Sequence, residues 1–413
     1  MSQPQEETIC THAAPGMDAQ ATHTQETASQ DKPFERFLGA MLPHLVRAIE
    51  ESSTQAALFQ NDARAGVRAD TADSSAADAS APDYTLRSKE DLKRYLYDPF
   101  THFSLQKGKR IRPALWLLGA YLFDKTLLDE GATRETLLRI CTACEHFQTA
   151  ALIHDDIADR SMYRRGELCL YKTEGVGLAL NVGDCALVYA LRVIMQEKGL
   201  APSIKHALID EFCRMEQETI EGQALDLGWA RDACWDLELD DYLVMAQKKT
   251  AYYSCATPLV LGALYANAPK AAIAALRSFG KAAGLAFQLQ DDYLNIFGDS
   301  KAQGKDFRSD ILEGKRTYLS LYALRHLPQG KQKRLQALLD PSAPREQECA
   351  EAKAKRTQEA AALIKCSGAD VASKETAQKL LAHAKAALAH DLFTDEARVL
   401  LDDLCRLFVE RRG

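Results

Sequence analysis

No uninterrupted apolar run in this chain approaches the roughly 18 residues that a membrane-spanning helix needs. The longest, Ala114 to Phe123, has the length of a core helix. Residues 1–30 show neither a charged n-region nor an apolar h-region, which argues against a signal peptide. They are not rich in arginine, which argues against a mitochondrial transit peptide. Strand signals are nearly absent: β-branched runs are few and no Asn-Gly pair marks a hairpin. Surplus positive charge is missing as well. Lys and Arg number 51 against 58 Asp and Glu, a net charge of −7, which argues against a general nucleic-acid binder.

What is present is a chain of 413 residues, 46% hydrophobic, with enough apolar material for a sizeable core. Eleven cysteines are scattered, several of them in apolar helical stretches (Cys141, Cys144, Cys185, Cys255). An odd count in a large helical chain reads as reduced thiols in a cytoplasmic setting. Cys141-x-x-Cys144 has no partner pair and reads as core thiols rather than a zinc or redox site.

Residues 1–33 are Gln, Thr, Ala, Ser and Glu with almost no large apolar residue, the composition of a disordered tail. Residues 34–59 turn helical, with Leu38, Leu42, Leu45 and Ile49 on one stripe. Residues 61–83 revert to small and acidic residues and read as a flexible insertion. From Leu86 onward helix follows helix, about ten to thirteen of them, punctuated by Gly and Pro. The expected fold is all-α: a large single-domain helical bundle over 34–413, built around a central cavity. The stretch 329–370, rich in Lys, Gln, Ala and Glu, reads as peripheral.

One stretch organises the rest: Gln148-Thr-Ala-Ala-Leu-Ile-His-Asp155-Asp156-Ile-Ala-Asp159. Its first ten residues lack Gly and Pro and predict a helix. Asp155 and Asp159 then share a face, with Asp156 beside them. Three carboxylates crowded at the C-terminal end of a helix repel one another and oppose its dipole. A hard divalent cation relieves that, and Mg2+ fits: it takes a few carboxylates and fills its remaining positions with water and phosphate oxygens. A solvated acidic helix end explains one such motif equally well. A second copy, Phe287-Gln288-Leu-Gln-Asp291-Asp292-Tyr-Leu-Asn295, tips the balance. Two such helices facing each other make a pit able to clamp a diphosphate through several Mg2+ ions.

Basic clusters bracket both motifs. Lys107-Gly108-Lys109-Arg110-Ile111-Arg112-Pro113 precedes an apolar helix, a good seat for phosphate. Arg164-Arg165 follows the first motif, Lys249-Thr250 lies in an apolar stretch, and Lys305 and Gly314-Lys315-Arg316-Thr317 follow the second. Each alone reads as surface charge. Together they suggest two phosphate sites, one held by cations directly and one through metals.

In these motifs, their order and their spacing the chain resembles the trans-isoprenyl diphosphate synthases (polyprenyl synthetases), most like the short-chain geranylgeranyl and farnesyl enzymes. Gly222-Gln223-x-x-Asp226 and Asp310-Ile-Leu-Glu-Gly-Lys315-Arg-Thr belong to the same match. The resemblance implies a homodimer that condenses isopentenyl diphosphate head-to-tail with an allylic diphosphate. It implies Mg2+ at Asp155, Asp156, Asp159 and Asp291. It puts the allylic diphosphate on Arg164, Lys249, Thr250, Gln288, Lys305 and Lys315, and isopentenyl diphosphate on Lys109, Arg112, Gln148 and Arg165. Asp155, Asp156, Asp159, Lys249, Asp291 and Lys305 are the expected catalytic residues. Two departures stand out: Lys107 replaces one of the family's paired glycines, and Asn295 ends the second motif in place of Asp. Asn295 is therefore left out of the metal set.

Product length should follow from the floor beneath the first motif. The positions five and four before Asp155 are Ala150 and Ala151, both small. Phe147, a turn deeper at ~1.5 Å per residue, is the expected floor, giving a C20 product; longer-chain or farnesyl products are the alternatives. A class I terpene synthase would need a different second motif, and a non-catalytic partner subunit should have lost carboxylates.

Overall fold

The computed structural model describes residues 32–56, 86–298, 307–340, 348–388 and 391–410. The expected tail at 1–33, Lys32 and Pro33 apart, and the expected insertion at 61–83 lie outside the described residues. What is described is almost wholly helical, as the alternation of apolar stripes and Gly/Pro stops requires. Seventeen α-helical segments are seen among the described residues, and π-helical turns join two pairs of them into continuous helices. The expected ten to thirteen falls short because short segments such as Leu170–Thr173 and Ser309–Glu313 carry too few residues to show a period.

Helix α1 (Pro33–Gln55) opens on a proline, whose missing N–H is no loss in a first turn. Its Phe34 N–H donates to Asp403 at 3.0 Å, so the last helix caps the first. Then come α2 (Leu86–Leu92), a π segment (Lys93–Tyr97), α3 (Asp98–Leu105), α4 (Ile111–Tyr121) and the long α5 (Ala132–Ala158). A two-residue ribbon, β1 (Tyr163–Arg164) against β2 (Glu167–Leu168), turns through Arg165 and Gly166, both at positive φ. That is the signature of a tight hairpin without an Asn-Gly pair. Helices α6 (Leu170–Thr173), α7 (Val176–Gln196), α8 (Pro202–Arg231) and α9 (Leu239–Ala246) follow, then a second π segment (Gln247–Ala256), α10 (Thr257–Tyr265) and α11 (Lys270–Phe297). Both π segments end just before an X-Pro step, Asp98-Pro99 and Thr257-Pro258. A proline supplies no N–H to the preceding turn, and widening that turn is one way a helix absorbs the loss. The chain closes with α12 (Ser309–Glu313), α13 (Tyr318–His326), α14 (Gln329–Leu339), α15 (Ala350–Cys366), α16 (Ala369–Ala387) and α17 (Asp395–Val409).

Trp116, Phe100, Phe103, Phe212 and Phe279 are fully buried between these helices. Truncating any one to alanine should cost about 3–5 kcal/mol. Close backbone approach is made possible by Gly222 of α8, where an added Cβ would stand 2.2 Å from the Lys249 nitrogen. By length and composition α7 could cross a membrane. It escapes a search for unbroken apolar runs because Asn181, Asp184 and Arg192 interrupt it.

Candidate active site

Helices α5 and α11 end at the same cavity, of about 230 Å3. Asp155 lines it from one wall, and Asp291, Asp292 and Asp310 from the other. Lys249, Thr250 and Tyr253 project into it from the π segment, where the wider turn re-aims side chains that an α-helix would stack behind one another. Of the other expected residues, Arg112, Gln148, Arg164, Gln288 and Lys315 also line it, whereas Lys109, Asp156, Asp159 and Arg165 do not.

On the first wall the carboxylates are matched by cations. Asp155 accepts from Gln223 at 3.0 Å and lies 3.6 Å from Lys249, which also binds the buried Asp226. Burial works against its ionisation, but Lys249, Lys315 and Arg164 outweigh it and hold Asp155 well below the usual carboxylate range. Asp159 accepts from Lys315 at 2.6 Å, and Lys315 reaches Glu313 at 2.8 Å. Burial and the charge of Asp155 push Asp159 up to about 6. Asp156 is turned elsewhere. It is buried, accepts from Arg164 Nε at 2.8 Å, and does not line the cavity.

On the second wall neutral donors meet Asp292. Tyr242 on α9 donates to Asp292 Oδ2 at 2.7 Å, and Gln288 Nε2 to its Oδ1 at 2.7 Å. Burial, then the charge of Asp310, pushes Asp292 up to about 8.

The residues expected to seat the second phosphate lie beside the first wall. Arg112 donates to Ser254 at 2.8 Å and sits 4.6 Å over the Tyr253 ring, while its Nε and the Gln148 Oε1 are buried without partners. Such orphaned atoms are costly unless a ligand meets them. Arg165 stands 3.8 Å from the buried Glu145, which also holds Arg110. Lys109 is exposed at the loop edge. Lys107 is not among the positive-φ residues; the left-handed position falls on Arg110, so the loop tolerates the missing glycine. Lys305 lies outside the described residues. Phe147 is buried, edge-on to Phe212 (6.1 Å) and to Tyr253 (5.5 Å). Ala151 packs in the same cluster, whereas Ala150 faces Phe100, Phe103 and Tyr189 on the other side of α5. Sequence reasoning gave no role to Glu145, Tyr242, Asp310 or Glu313. Only Asp310 and Glu313, both inside one matched motif, carried a signal.

The donor set fits Mg2+. It consists of hard carboxylate oxygens on opposing walls, with the proton affinities of Asp159 and Asp292 raised first by burial and then by a neighbouring carboxylate whose repulsion a cation would relieve. Among the described residues no three acidic, histidine or cysteine side chains already form a cage. The fit is therefore of the kind Mg2+ favours, few protein ligands completed by water and diphosphate.

A helical pit with carboxylates on two walls and cations between them defines an enzyme that grips diphosphates, directly and through metal. Residues 93–356 match the family model described as Polyprenyl synthetase, and the chain belongs to that family. It is a trans-prenyl diphosphate synthase, a transferase whose family is magnesium-dependent and joins isopentenyl diphosphate to an allylic diphosphate. It is 32% identical over 269 residues to a short chain isoprenyl diphosphate synthase of Methanocaldococcus jannaschii, covering 64% of this chain and 78% of that one. It is 33% identical over 254 residues to a geranylgeranyl diphosphate synthase of Sulfolobus acidocaldarius, covering 61% and 74%. The fold is similar to the crystal structure of geranylgeranyl pyrophosphate synthase from Corynebacterium glutamicum complexed with isoprenyl diphosphate and magnesium. That likeness has a TM-score of 0.71 at 28% identity and covers 89% of this chain and 99% of that one.

Proposed function

We propose that this enzyme makes geranylgeranyl (C20) diphosphate, with Phe147 as the floor of the growing chain. The observation that carries this reading is the aromatic contact of Phe147 with Tyr253, a residue lining the pit. Small Ala151, in the same cluster, leaves room above it. When bound, Mg2+ supplies Lewis-acid charge to the leaving diphosphate. Several ions would be held by Asp155, Asp159 and Asp291, with Asp156 acting through its Arg164 pair. Lys249, Thr250, Lys315 and Gln288, with Lys305, would orient the allylic diphosphate. Lys109, Arg112, Gln148 and Arg165 would seat isopentenyl diphosphate. Apolar walls would keep water from the allylic cation. A homodimer is supported by the exposed Val176, Leu180, Val188 and Met195 along one face of α7, with Ile220 on α8. The ten described free thiols accord with a cytoplasmic setting.

The test is to supply Mg2+, isopentenyl diphosphate and in turn dimethylallyl, geranyl and farnesyl diphosphates, and to size the dephosphorylated alcohols by mass. A dominant C20 alcohol is expected, shifting to longer products in Phe147→Ala. A C30-or-longer ladder from the wild type, or unchanged products from the variant, would sink the floor.

A further inference from the structure

The last position of the second acidic motif is Asn295, and it is buried, with 1% exposure. It does not line the pit. Instead it docks the returning chain. Its Oδ1 accepts from the Asp310 N–H at 3.3 Å, its Nδ2 donates to Ser309 Oγ at 3.2 Å, and its backbone carbonyl accepts from the Arg308 N–H at 3.2 Å. Three consecutive residues, 308 to 310, are thus tied to one side chain and its peptide. They need tying: Arg308 sits in the left-handed region at φ 59°, and α12 is only five residues long. A lone turn of that length does not hold itself together. The residue so fixed, Asp310, lines the pit beside Asp291 and Asp292.

We propose that Asn295 is a positioning residue that replaces its own missing carboxylate by holding Asp310 in the second wall, where Asp310 joins Asp291 in meeting the metal–diphosphate. This rests on the diphosphate-binding reading of the pit. The amide suits the task better than the carboxylate it replaces. An aspartate could accept from Asp310 N–H and from the Ser309 hydroxyl, but it would bury a further negative charge at 1% exposure beside Asp291, Asp292 and Asp310. Asn meets both partners uncharged, accepting from the Asp310 N–H and donating to Ser309 Oγ. The wall keeps three carboxylates, one of them delivered from α12 rather than from α11.

The experiment titrates Mg2+ calorimetrically into the full chain holding inorganic pyrophosphate. Asp310→Asn should weaken Mg2+ binding about tenfold or more, the loss typical of an outer partner of a metal site. Asn295→Ala should weaken it in the same direction, and the double variant should be no weaker than Asp310→Asn alone, because both act through one carboxylate. Asn295→Asp, which keeps both bonds, should recover most of the affinity. Wild-type affinity in Asp310→Asn would overturn the role of Asp310. Wild-type affinity in Asn295→Ala, or additive losses in the double variant, would overturn the positioning role. If Asn295→Ala does not fold, Ser309→Ala removes one of the bonds, and unchanged affinity there counts against the proposal equally. Prenyl transfer is assayed separately, so a wild type that binds Mg2+ and pyrophosphate but makes no product fails the functional reading and not this one.

Discussion

The two walls of the pit carry the same motif and balance it in opposite ways. On α5 each carboxylate has a cation: Lys249 and Lys315 for Asp155 and Asp159, Arg164 for Asp156. On α11 Asp292 has a tyrosine hydroxyl and an amide, and the fifth position is an amide outright. The first wall is thus charge-balanced before any ligand arrives. On the second, Asp292 is quietened by neutral hydrogen bonds and by its raised proton affinity. The two related motifs, one ending in Asp159 and the other in Asn295, have two physical solutions because the neighbours come from different elements. The π segment and the Lys315 turn supply cations to α5, while α9 and α12 supply neutral groups to α11.

The sharpest way to break this picture is within the first wall. Asp155 faces the cavity and Asp156 faces Arg164. Asp155→Asn should lower kcat/KM by about 100- to 1,000-fold, the range for removing one preorganised electrostatic group. Its folded stability should change little, because Gln223 and Lys249 remain as partners. Asp156→Asn should do the reverse. It leaves a largely buried guanidinium without its countercharge, with a loss of up to about 3 kcal/mol in chemical denaturation, and a smaller fall in activity. Equal kinetic losses in both variants, with unchanged stability, would erase the distinction between the two aspartates.

The second wall gives the next effect. Tyr242→Phe removes one hydroxyl and keeps the ring packed on Tyr318 at 5.9 Å. Released from that donor, Asp292 should hold its place beside Asp291 less firmly. The apparent Mg2+ requirement should rise by about tenfold, with kcat at saturating Mg2+ nearly unchanged. A fall in kcat that added Mg2+ does not restore would place Tyr242 in the chemistry instead.

How much of this was legible in the sequence follows the same division. The helices, the two long ones above all, were readable because their apolar stripes repeat over many turns. Asp155, Lys249, Gln288 and Asp291 were readable because they lie in motifs whose spacing shows which residues share a face. Asp156 was grouped with the metal set by proximity in sequence, since a spacing rule does not show that Arg164, eight residues on, folds back to claim it. Tyr242 gave no signal at all. Its partner lies 50 residues away on another helix, and a lone tyrosine in an apolar segment looks like core. Asn295 read only as a departure left out of the metal set, because its use depends on where a short turn returns, which no local pattern encodes.

The smallest effect is a matter of pH, and it tests both walls at once. Burial is the leading cause that raises Asp159 to about 6, Glu313 to about 7 and Asp292 to about 8. In the unfolded chain such groups titrate near 4. Groups that hold protons more tightly when folded add stability that is complete below about pH 4 and is lost as pH rises through their folded values. Their contribution to the melting temperature of the metal-free enzyme should therefore fall from about pH 4 to about pH 8, by a few degrees for a chain of this size. Asp155 carries the opposite sign, but its folded value lies so low that it acts only in acid. Mg2+ with pyrophosphate gives the ionised carboxylates a cation, so it should raise the melting temperature more at pH 8.5 than at pH 6. A flat profile, or a ligand effect that shrinks as pH rises, would mean that cations rather than protons balance the second wall too, and the contrast between the walls would disappear.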